Sequence, residues 1–279
     1  MVLILFMVLA TASCGGGDGG PSSGGADVVA SFYPLAFAAE RIGGPSAEVT
    51  NLTPPGTEPH DVELSVSDVE RTRSADVVLY LGSSFQPAVE KAVEGGDAEA
   101  IDLLAGPTLE GEEGADPHVW LDPLRYAEIA NRIGEALGRQ PAAQQFEEKL
   151  RDLHEEFERG LAECDRREIV TSHDAFSYLA DRYGLEQIAI SGVSPEAEPT
   201  PRELEEVVAE VRAHGATTVF FETLVSPRIA ETVAREAGVE TATLDPLEGL
   251  TEEDIAGGAD YFSVMRSNLE VLREALGCR

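Results

Sequence analysis

The chain has 279 residues, of which 20 are basic and 52 acidic, and its formal net charge at pH 7 is −32. So acidic a surface repels nucleic-acid phosphates and anionic lipid headgroups, so we expect no nucleic-acid partner and no peripheral membrane binding. At about 150 residues per domain, the length predicts two domains. The hydrophobic content of 43% is sufficient for a sizeable core.

Residues 1–14 resemble an export signal that ends in a lipidation site. Residues 1–10 are apolar and uncharged, too short a run to span a bilayer as a stable helix, and Ser13 precedes Cys14. No Lys or Arg precedes the run, and Thr11 stands where lipoprotein signals favour leucine. We expect Cys14 to carry the lipid; the alternative is a cytoplasmic protein with an apolar N-terminus. Residues 15–26, rich in Gly and Ser, predict a flexible tether.

From residue 27 onward, short apolar runs typical of strands alternate with segments typical of helices. This alternation predicts an α/β fold with two lobes, each a mainly parallel sheet flanked by helices. We place the N-terminal lobe at 27–138, a connecting helix at 139–164 and the C-terminal lobe at 165–279. The predicted strands are 28–32, 47–52, 77–81, 100–104, 168–172, 187–191, 217–221 and 240–244. The predicted helices are 34–42, 66–73, 87–93, 123–137, one from Pro141, 175–183, 201–213, 227–237 and 261–276.

The connecting helix is predicted from a continuous apolar seam. Pro141 is suited to the first turn of a helix. The apolar residues that follow recur every three or four positions, which is the helical period. A helix of roughly 20 residues is about 30 Å long, so we expect a stiff connection between the lobes. The seam residues are Phe146, Leu150, Leu153, Phe157 and Leu161.

Three histidines and one aspartate lie in turns that predict a shared binding site. His60, His173 and Asp245 each follow a predicted strand, where open α/β sheets place their ligands. His118 lies in a turn flanked by prolines, Asp116–Pro123, without a strand directly before it. Two of the four residues belong to each half of the chain, so we expect a site between the lobes.

Three imidazoles and a carboxylate can fill the tetrahedral shell of zinc. A full shell leaves no position for a reacting water, which favours metal carriage over catalysis. Glu222 and Glu58 are alternatives for the carboxylate position or could support the ligands. Asp61, Asp116 and Asp174 could accept a hydrogen bond from the second ring nitrogen of a neighbouring histidine.

The remaining histidines and aromatic residues receive the simpler interpretation. A lone histidine in a turn is usually a surface residue. We assign His154 and His214 to solvent or packing, and Trp120 and Phe176 to packing. The cysteines Cys164 and Cys278 could form a disulfide if the protein is exported, but their spacing does not decide this.

Five ordered motifs together resemble a known family. The chain is similar to the zinc- and manganese-binding solute-binding lipoproteins of bacterial ABC importers, which include adhesin-like members. The resemblance covers about residues 28–276. The motifs are GTEPHDVELSVSD at 56–68, DPHVWLDP at 116–123, TSHDAFSYLADRYGL at 171–185, FFETLVSPRIAETVAREAGV at 220–239 and TLDPL at 243–247.

The resemblance implies two α/β lobes bridged by a long helix, with metal ligands at His60, His118, His173 and Asp245. Manganese-type members have a glutamate where this chain has His173, so the resemblance favours zinc. Many zinc members carry a His-rich loop before the second ligand, but here residues 107–116 are acidic and lack histidine.

The implied function is that of an extracytoplasmic, membrane-anchored zinc receptor of an ABC importer. We expect a monomer and no enzyme activity, with an ABC permease and its separate ATPase as partners. The alternatives are the same fold carrying manganese or iron, an adhesin-like protein with a structural metal, and a zinc hydrolase.

Overall fold

The structure is a computed structural model that describes residues 25–105, 116–195 and 199–279. The predicted signal with Cys14, nearly all of the tether and the acidic loop before Asp116 lie outside these residues. Within the described ranges, no helix combines the length and the apolar character needed to cross a membrane.

Two four-stranded sheets form the frame of the molecule, and every strand pairing in them is parallel. The first has the order β2-β1-β3-β4 and the second β6-β5-β7-β8, so the two sheets have the same connectivity. The predicted fold class is confirmed. The strands are β1 (Ala26–Ala30), β2 (Ala47–Asn51), β3 (Val77–Tyr80), β4 (Glu99–Asp102), β5 (Glu168–Thr171), β6 (Glu186–Ala189), β7 (Thr218–Phe221) and β8 (Glu240–Thr243).

The helices begin and end close to their predicted positions because local signals mark their ends. Side-chain caps at Ser65, Thr200, Thr251 and Asp260 satisfy free N–H groups of first turns. The short helix α9 was not predicted, since five mostly acidic residues show no apolar period. The helices are α1 (Tyr33–Gly43), α2 (Val66–Ser74), α3 (Pro87–Val93), α4 (Pro123–Ala136), α5 (Gln140–Leu161), α6 (Ser177–Tyr183), α7 (Pro201–His214), α8 (Arg228–Ala237), α9 (Glu252–Ala256) and α10 (Tyr261–Leu276).

Helix α5 lies between the two sheets in sequence and contributes its seam to a shared core. All five predicted seam residues are buried. The helix packs against α1, α4, α6 and α10. One cluster of buried apolar side chains contains the seam together with residues of both lobes, such as Phe32 and Leu179. The lobe limits given above remain a prediction.

A disulfide joins Cys164, just after α5, to Cys278, just after α10. Backbone hydrogen bonds from Asp165 to Leu276 and from Arg279 to Glu163 reinforce the same junction. The bond closes a sequence separation of 114 residues. On a chain-entropy model, a loop of that size stabilises the folded state by about 4–5 kcal/mol.

Candidate metal centre

Three predicted histidines meet one carboxylate at the centre of the molecule. The Nε2 atoms of His60, His118 and His173 lie 3.1, 2.9 and 3.3 Å from Oε1 of Glu248. The Nε2 atoms of His118 and His173 are 3.3 Å apart. The His118 and Glu248 side chains are fully buried, His173 is 1% exposed and His60 8%. We call these four residues the central cluster.

His173 is positioned by the end of strand β5. The hydroxyl of Thr171, the last residue of the strand, donates to the carbonyl oxygen of His173 at 2.8 Å. The side-chain amide of Gln187 donates to the same oxygen at 3.1 Å. These bonds close a tight turn at the carboxyl end of the sheet, where the imidazole enters the cleft.

His60 is positioned by the proline-rich loop after β2. Gly56 has a φ of +75°, a conformation that glycine adopts readily, and its N–H donates to the carbonyl of Leu250 at 2.9 Å. The buried amide of Gln86 donates to the carbonyl of Pro59 at 3.2 Å. The imidazole of His60 packs edge-on against Phe85, with ring centroids 4.7 Å apart. The loop is therefore held by residues from both halves of the chain.

His118 immediately precedes a short 3₁₀ turn, Val119–Leu121. Its Nδ1 lies 2.5 Å from Oδ1 of Asp116, which also accepts the backbone N–H of His118. The hydroxyl of Ser177 donates to the other oxygen of Asp116, and that of Tyr178 donates to its carbonyl. Asp116 thus orients the imidazole of His118 while contacting helix α6 of the C-terminal lobe.

The predicted carboxylate Asp245 does not join the central cluster; Glu248 occupies that position instead. Oδ1 of Asp245 accepts from the N–H of Leu247 at 2.7 Å, and Oδ2 accepts from the hydroxyl of Thr223 at 3.0 Å. These bonds hold Asp245 in the turn after β8. Leu247 adopts a positive φ of 55°, and Glu248 follows it into the cleft. The structure therefore brings Glu248, and not the predicted Asp245, to the three predicted histidines.

Sequence reasoning missed Glu248 because it does not directly follow a strand. Asp245 directly follows the predicted strand 240–244, which is why it was predicted as the ligand. The available signal was an acidic residue before Gly249 in the same turn. That signal could not distinguish Glu248 from Asp245 without the direction of the turn.

The two alternative carboxylates occupy different positions beside the central cluster. Oε1 of Glu222 lies 2.8 Å from Nδ1 of His173 and accepts from the hydroxyl of Ser172 at 2.5 Å. Glu222 therefore contacts the ring nitrogen opposite the one that faces Glu248. Oε1 of Glu58 lies 4.0 Å from Nε2 of His60, and neither oxygen of Glu58 has a hydrogen-bond partner among the described residues.

The aspartates next to the histidines in sequence also differ in whether they contact a histidine ring. Asp116 reaches a ring nitrogen, as described above. Asp61 is exposed, and Asp174 is half-buried without a hydrogen bond to a histidine in the described part of the chain. Sequence adjacency alone did not indicate which carboxylate faces its neighbour.

The electrostatics of the central cluster reflect burial and close charge-assisted contacts. Burial opposes ionisation of Glu248, but its hydrogen bonds with the three histidines hold its pKa well below the usual range. Burial also opposes protonation of His173, yet Glu222 and Glu248 together raise its pKa to about 10. Burial and the charge of Glu248 raise the pKa of Glu58 to about 8. At neutral pH the imidazole of His173 is therefore protonated while Glu248 is ionised, so the two carry opposite charges.

The other histidines and aromatic residues lie outside the central cluster. Nδ1 of His154 lies 3.1 Å from the hydroxyl of Tyr183, and the side chain of His214 is 44% exposed. Trp120 is fully buried and donates from Nε1 to the carbonyl of Pro246 at 2.8 Å. Phe176 is also buried.

The donor atoms of the central cluster match the spacing of a tetrahedral zinc site. For bonds of about 2.0 Å, the corners of a regular tetrahedron lie about 3.3 Å apart. The four separations given above range from 2.9 to 3.3 Å. All four donor atoms lie within 4.8 Å of one another, so a small cation can bridge them. The donors, three nitrogens and one oxygen, are the types that zinc accepts.

The parallel sheets and a buried cluster of metal-ligand side chains define the chain as a two-lobed metal-binding protein. A family model described as "Zinc-uptake complex component A periplasmic" matches residues 28–275. The chain belongs to this family, and the resemblance drawn from its motifs is confirmed.

Relatives with known names and structures support the same family. The zinc-binding lipoprotein AdcA of Streptococcus pneumoniae is 35% identical over 91% of this chain, which spans 56% of that relative's length. The Zn(II)-bound ZnuA-like domain of S. pneumoniae AdcA matches with a TM-score of 0.77 and 34% identity, over 91% of this chain and 99% of the domain. The laminin-binding protein Lmb of Streptococcus agalactiae, described as bifunctional with adhesin and metal-transporting activity, matches with a TM-score of 0.82 and 32% identity, over 90% and 100% of the chains.

Proposed function

We propose that this chain is the zinc-capturing receptor of an ABC importer, with the metal bound between the lobes by His60, His118, His173 and Glu248. The observation that carries the proposal is the close approach of the four donor atoms in a buried cluster: four of their separations are 2.9 to 3.3 Å, and all of them are within 4.8 Å. Zinc is the substrate of this protein, taken up and passed on.

Zinc fits the central cluster better than manganese or iron. Manganese prefers about six ligands rich in oxygen, whereas this group offers three imidazoles and one carboxylate. Glu58 would be the next oxygen donor, but its nearest oxygen is 4.0 Å from Nε2 of His60. The Zn(II)-bound ZnuA-like domain of S. pneumoniae AdcA supports the same preference.

A role in carriage rather than catalysis follows from the closed shell. Four protein donors satisfy a tetrahedral ion and leave no position for an activated water. Glu222 and Asp116 each hold the far nitrogen of a ligand imidazole, at 2.8 and 2.5 Å. Such contacts fix the tautomer and ring orientation and increase the basicity of the ligand. We infer that they prepare His173 and His118 for the metal.

The same proposal places the chain outside the cytoplasm, anchored through lipid on Cys14. The names of relatives, which include a lipoprotein and a periplasmic component, support this location. The disulfide between Cys164 and Cys278 also fits an oxidising compartment. The partners would be a membrane permease and its ATPase, with the receptor acting as a monomer.

An adhesin-like protein with a structural metal is the second candidate, because Lmb is described as an adhesin as well as a metal transporter. The two roles differ in what metal removal does. A structural metal holds the fold together, so chelation unfolds the chain. A carried metal leaves a folded receptor that rebinds zinc reversibly.

The decisive experiment begins with elemental analysis of protein purified without added metal. The chelated protein is then titrated with zinc and with manganese in competition, while circular dichroism follows the fold. We expect one tightly bound zinc, displacement of manganese by zinc, and an unchanged spectrum after chelation. Tighter binding of manganese would overturn the choice of metal, and loss of the spectrum on chelation would favour the structural role.

A further inference from the structure

A second group of metal-ligand side chains lies in the C-terminal lobe, away from the central cluster. It consists of Glu168, Glu186 and His214, whose donor atoms lie within 4.8 Å of one another. Nδ1 of His214 is 3.8 Å from Oε1 of Glu168. Glu168 is half-buried, and the other two residues are exposed. We call these three residues the edge cluster.

The edge cluster lies at the opposite end of the sheet from the cleft. Glu168 and Glu186 are the first residues of β5 and β6, whereas His173 follows the last residue of β5. A strand of four residues is about 10 Å long, so the two clusters do not share ligands. The edge cluster is therefore not part of the site already described.

The two carboxylates of the edge cluster lie in direct register. Glu168 pairs with Glu186 across the parallel ladder of β5 and β6, and like charges at such positions repel each other. Within the described ranges, no Lys or Arg side chain forms an ion pair with either glutamate. The guanidinium of Arg167, next in sequence, is hydrogen-bonded to the carbonyls of Leu161 and Ala162 instead. The pair therefore lacks a permanent positive partner.

The position of His214 at the end of a helix also favours a bound cation. His214 is the last residue of helix α7, which ends at Gly215 in a left-handed cap. The carboxyl end of a helix carries partial negative charge and attracts cations. An imidazole at this end also supplies a nitrogen donor, which diffuse acidic surfaces lack and which transition metals select.

We propose that Glu168, Glu186 and His214 form a second, solvent-accessible site for a transition-metal dication such as zinc. Two carboxylate oxygens and one imidazole nitrogen would hold the ion, and water would complete its shell. Binding would relieve the repulsion between the paired glutamates. This site should be weaker than the central cluster, because exposed side chains lose conformational freedom when they bind.

The test is a zinc titration of the whole chain after its first equivalent is filled, in about 0.15 M salt with excess magnesium to suppress diffuse binding. We expect a second equivalent in the unaltered chain. His214→Ala and Glu186→Gln should each weaken it by about ten-fold or more, without changing the first equivalent. Glu210→Gln, on helix α7 with His214, and His154→Ala, in α5, are matched controls. Both variants should still bind the second equivalent of zinc.

A second arm separates this proposal from the zinc-receptor function. The His118→Ala chain, with its central cluster disabled, should still bind zinc at the edge cluster, and His118→Ala/His214→Ala should not. Cobalt should broaden the imidazole NMR signals of His214 in the single variant. Absence of a second equivalent in the unaltered chain would overturn the proposal. So would a second equivalent equally strong in His214→Ala and Glu186→Gln, which would mean an adventitious ion only.

Discussion

The two lobes have sheets of the same strand order, yet they hold their halves of the central cluster in different ways. In the C-terminal lobe, His173 comes almost directly after β5, and Glu222, after β7, holds its far nitrogen. In the N-terminal lobe, neither histidine directly follows a strand: His60 lies in the proline-rich loop after β2, and His118 immediately precedes the 3₁₀ turn Val119–Leu121. His173 is therefore held at the end of its own sheet, whereas His60, His118 and Glu248 lie in loops farther from a strand end.

Those N-terminal loops are braced by the opposite lobe. Gly56 donates to Leu250, and the indole of Trp120 donates to Pro246. Asp116 receives hydrogen bonds from α6. Identical connectivity thus does not give identical sites, because ligand placement depends on what the loops contact. We expect the N-terminal ligands to reach their final geometry only when the lobes are together.

The largest expected effect comes from removing a ligand of the N-terminal half. His118→Ala should lower zinc affinity by about a thousand-fold or more, since one of four donors is lost. Competition with a zinc chelator measures this, and far-UV circular dichroism should report an intact fold. His154→Ala, a histidine outside both clusters, is the control and should bind as the unaltered chain does. Unchanged binding in His118→Ala would remove His118 from the ligand set.

The carboxylate contributed by the C-terminal half is tested by a matched pair. Glu248→Gln should weaken zinc binding by about a hundred-fold or more, because it removes the anionic donor. Asp245→Ala should leave affinity within about three-fold but lower the free energy of unfolding by about 1–3 kcal/mol, since Leu247 and Thr223 lose their buried acceptor. Zinc titration and urea denaturation separate the two effects. The reverse pattern would restore Asp245 as the ligand.

Variants of the two carboxylates that orient the imidazoles allow a direct comparison of the two halves. Asp116→Asn in the N-terminal half and Glu222→Gln in the C-terminal half should each lower zinc affinity by about 10–100-fold. If the lobes differ as described, Asp116→Asn should cost more, since Asp116 also connects the lobes. Equal losses in the two variants would contradict that difference.

Zinc affinity should rise with pH, by about ten-fold per pH unit for each proton that the metal displaces. The pKa of His173 is raised to about 10, so at neutral pH its imidazole carries a proton that competes with zinc. Raising the pH toward 10 removes this competitor, and lowering the pH strengthens it. Titrations at pH 6.5, 7.5 and 8.5 in metal buffers measure the slope, and a flat profile would contradict the raised pKa.

The smallest expected effect isolates one contact between the lobes. Tyr178→Phe removes the hydroxyl that donates to the carbonyl of Asp116 at 2.9 Å. The loss of one such bond is worth about 1 kcal/mol, so zinc affinity should fall about five-fold. Tyr80→Phe, on β3 of the other lobe, is a matched control. No change in Tyr178→Phe would show that this brace does not support the N-terminal ligands.

The sequence alone determined the alternation of strands and helices, the seam of α5 and the three histidines. The strands, the helices and the seam follow from local periods, whereas His118 was predicted from a proline-flanked turn and from the family resemblance. His60 and His173 could be predicted because parallel strands deliver their ligands at the carboxyl edge. The pairing of Cys164 with Cys278 was left open by spacing alone, and the structure joins them.

Tertiary structure alone decided which carboxylates lie beside the three histidines. Asp245 and Glu248 lie in one turn and have similar chemistry. They point in different directions because Leu247 between them has a positive φ and Asp245 accepts hydrogen bonds from Leu247 and Thr223. Likewise, Asp116 and Asp61 both neighbour a histidine, but only Asp116 contacts its ring. A side chain's direction in a loop depends on contacts with distant segments, and local sequence does not encode those contacts.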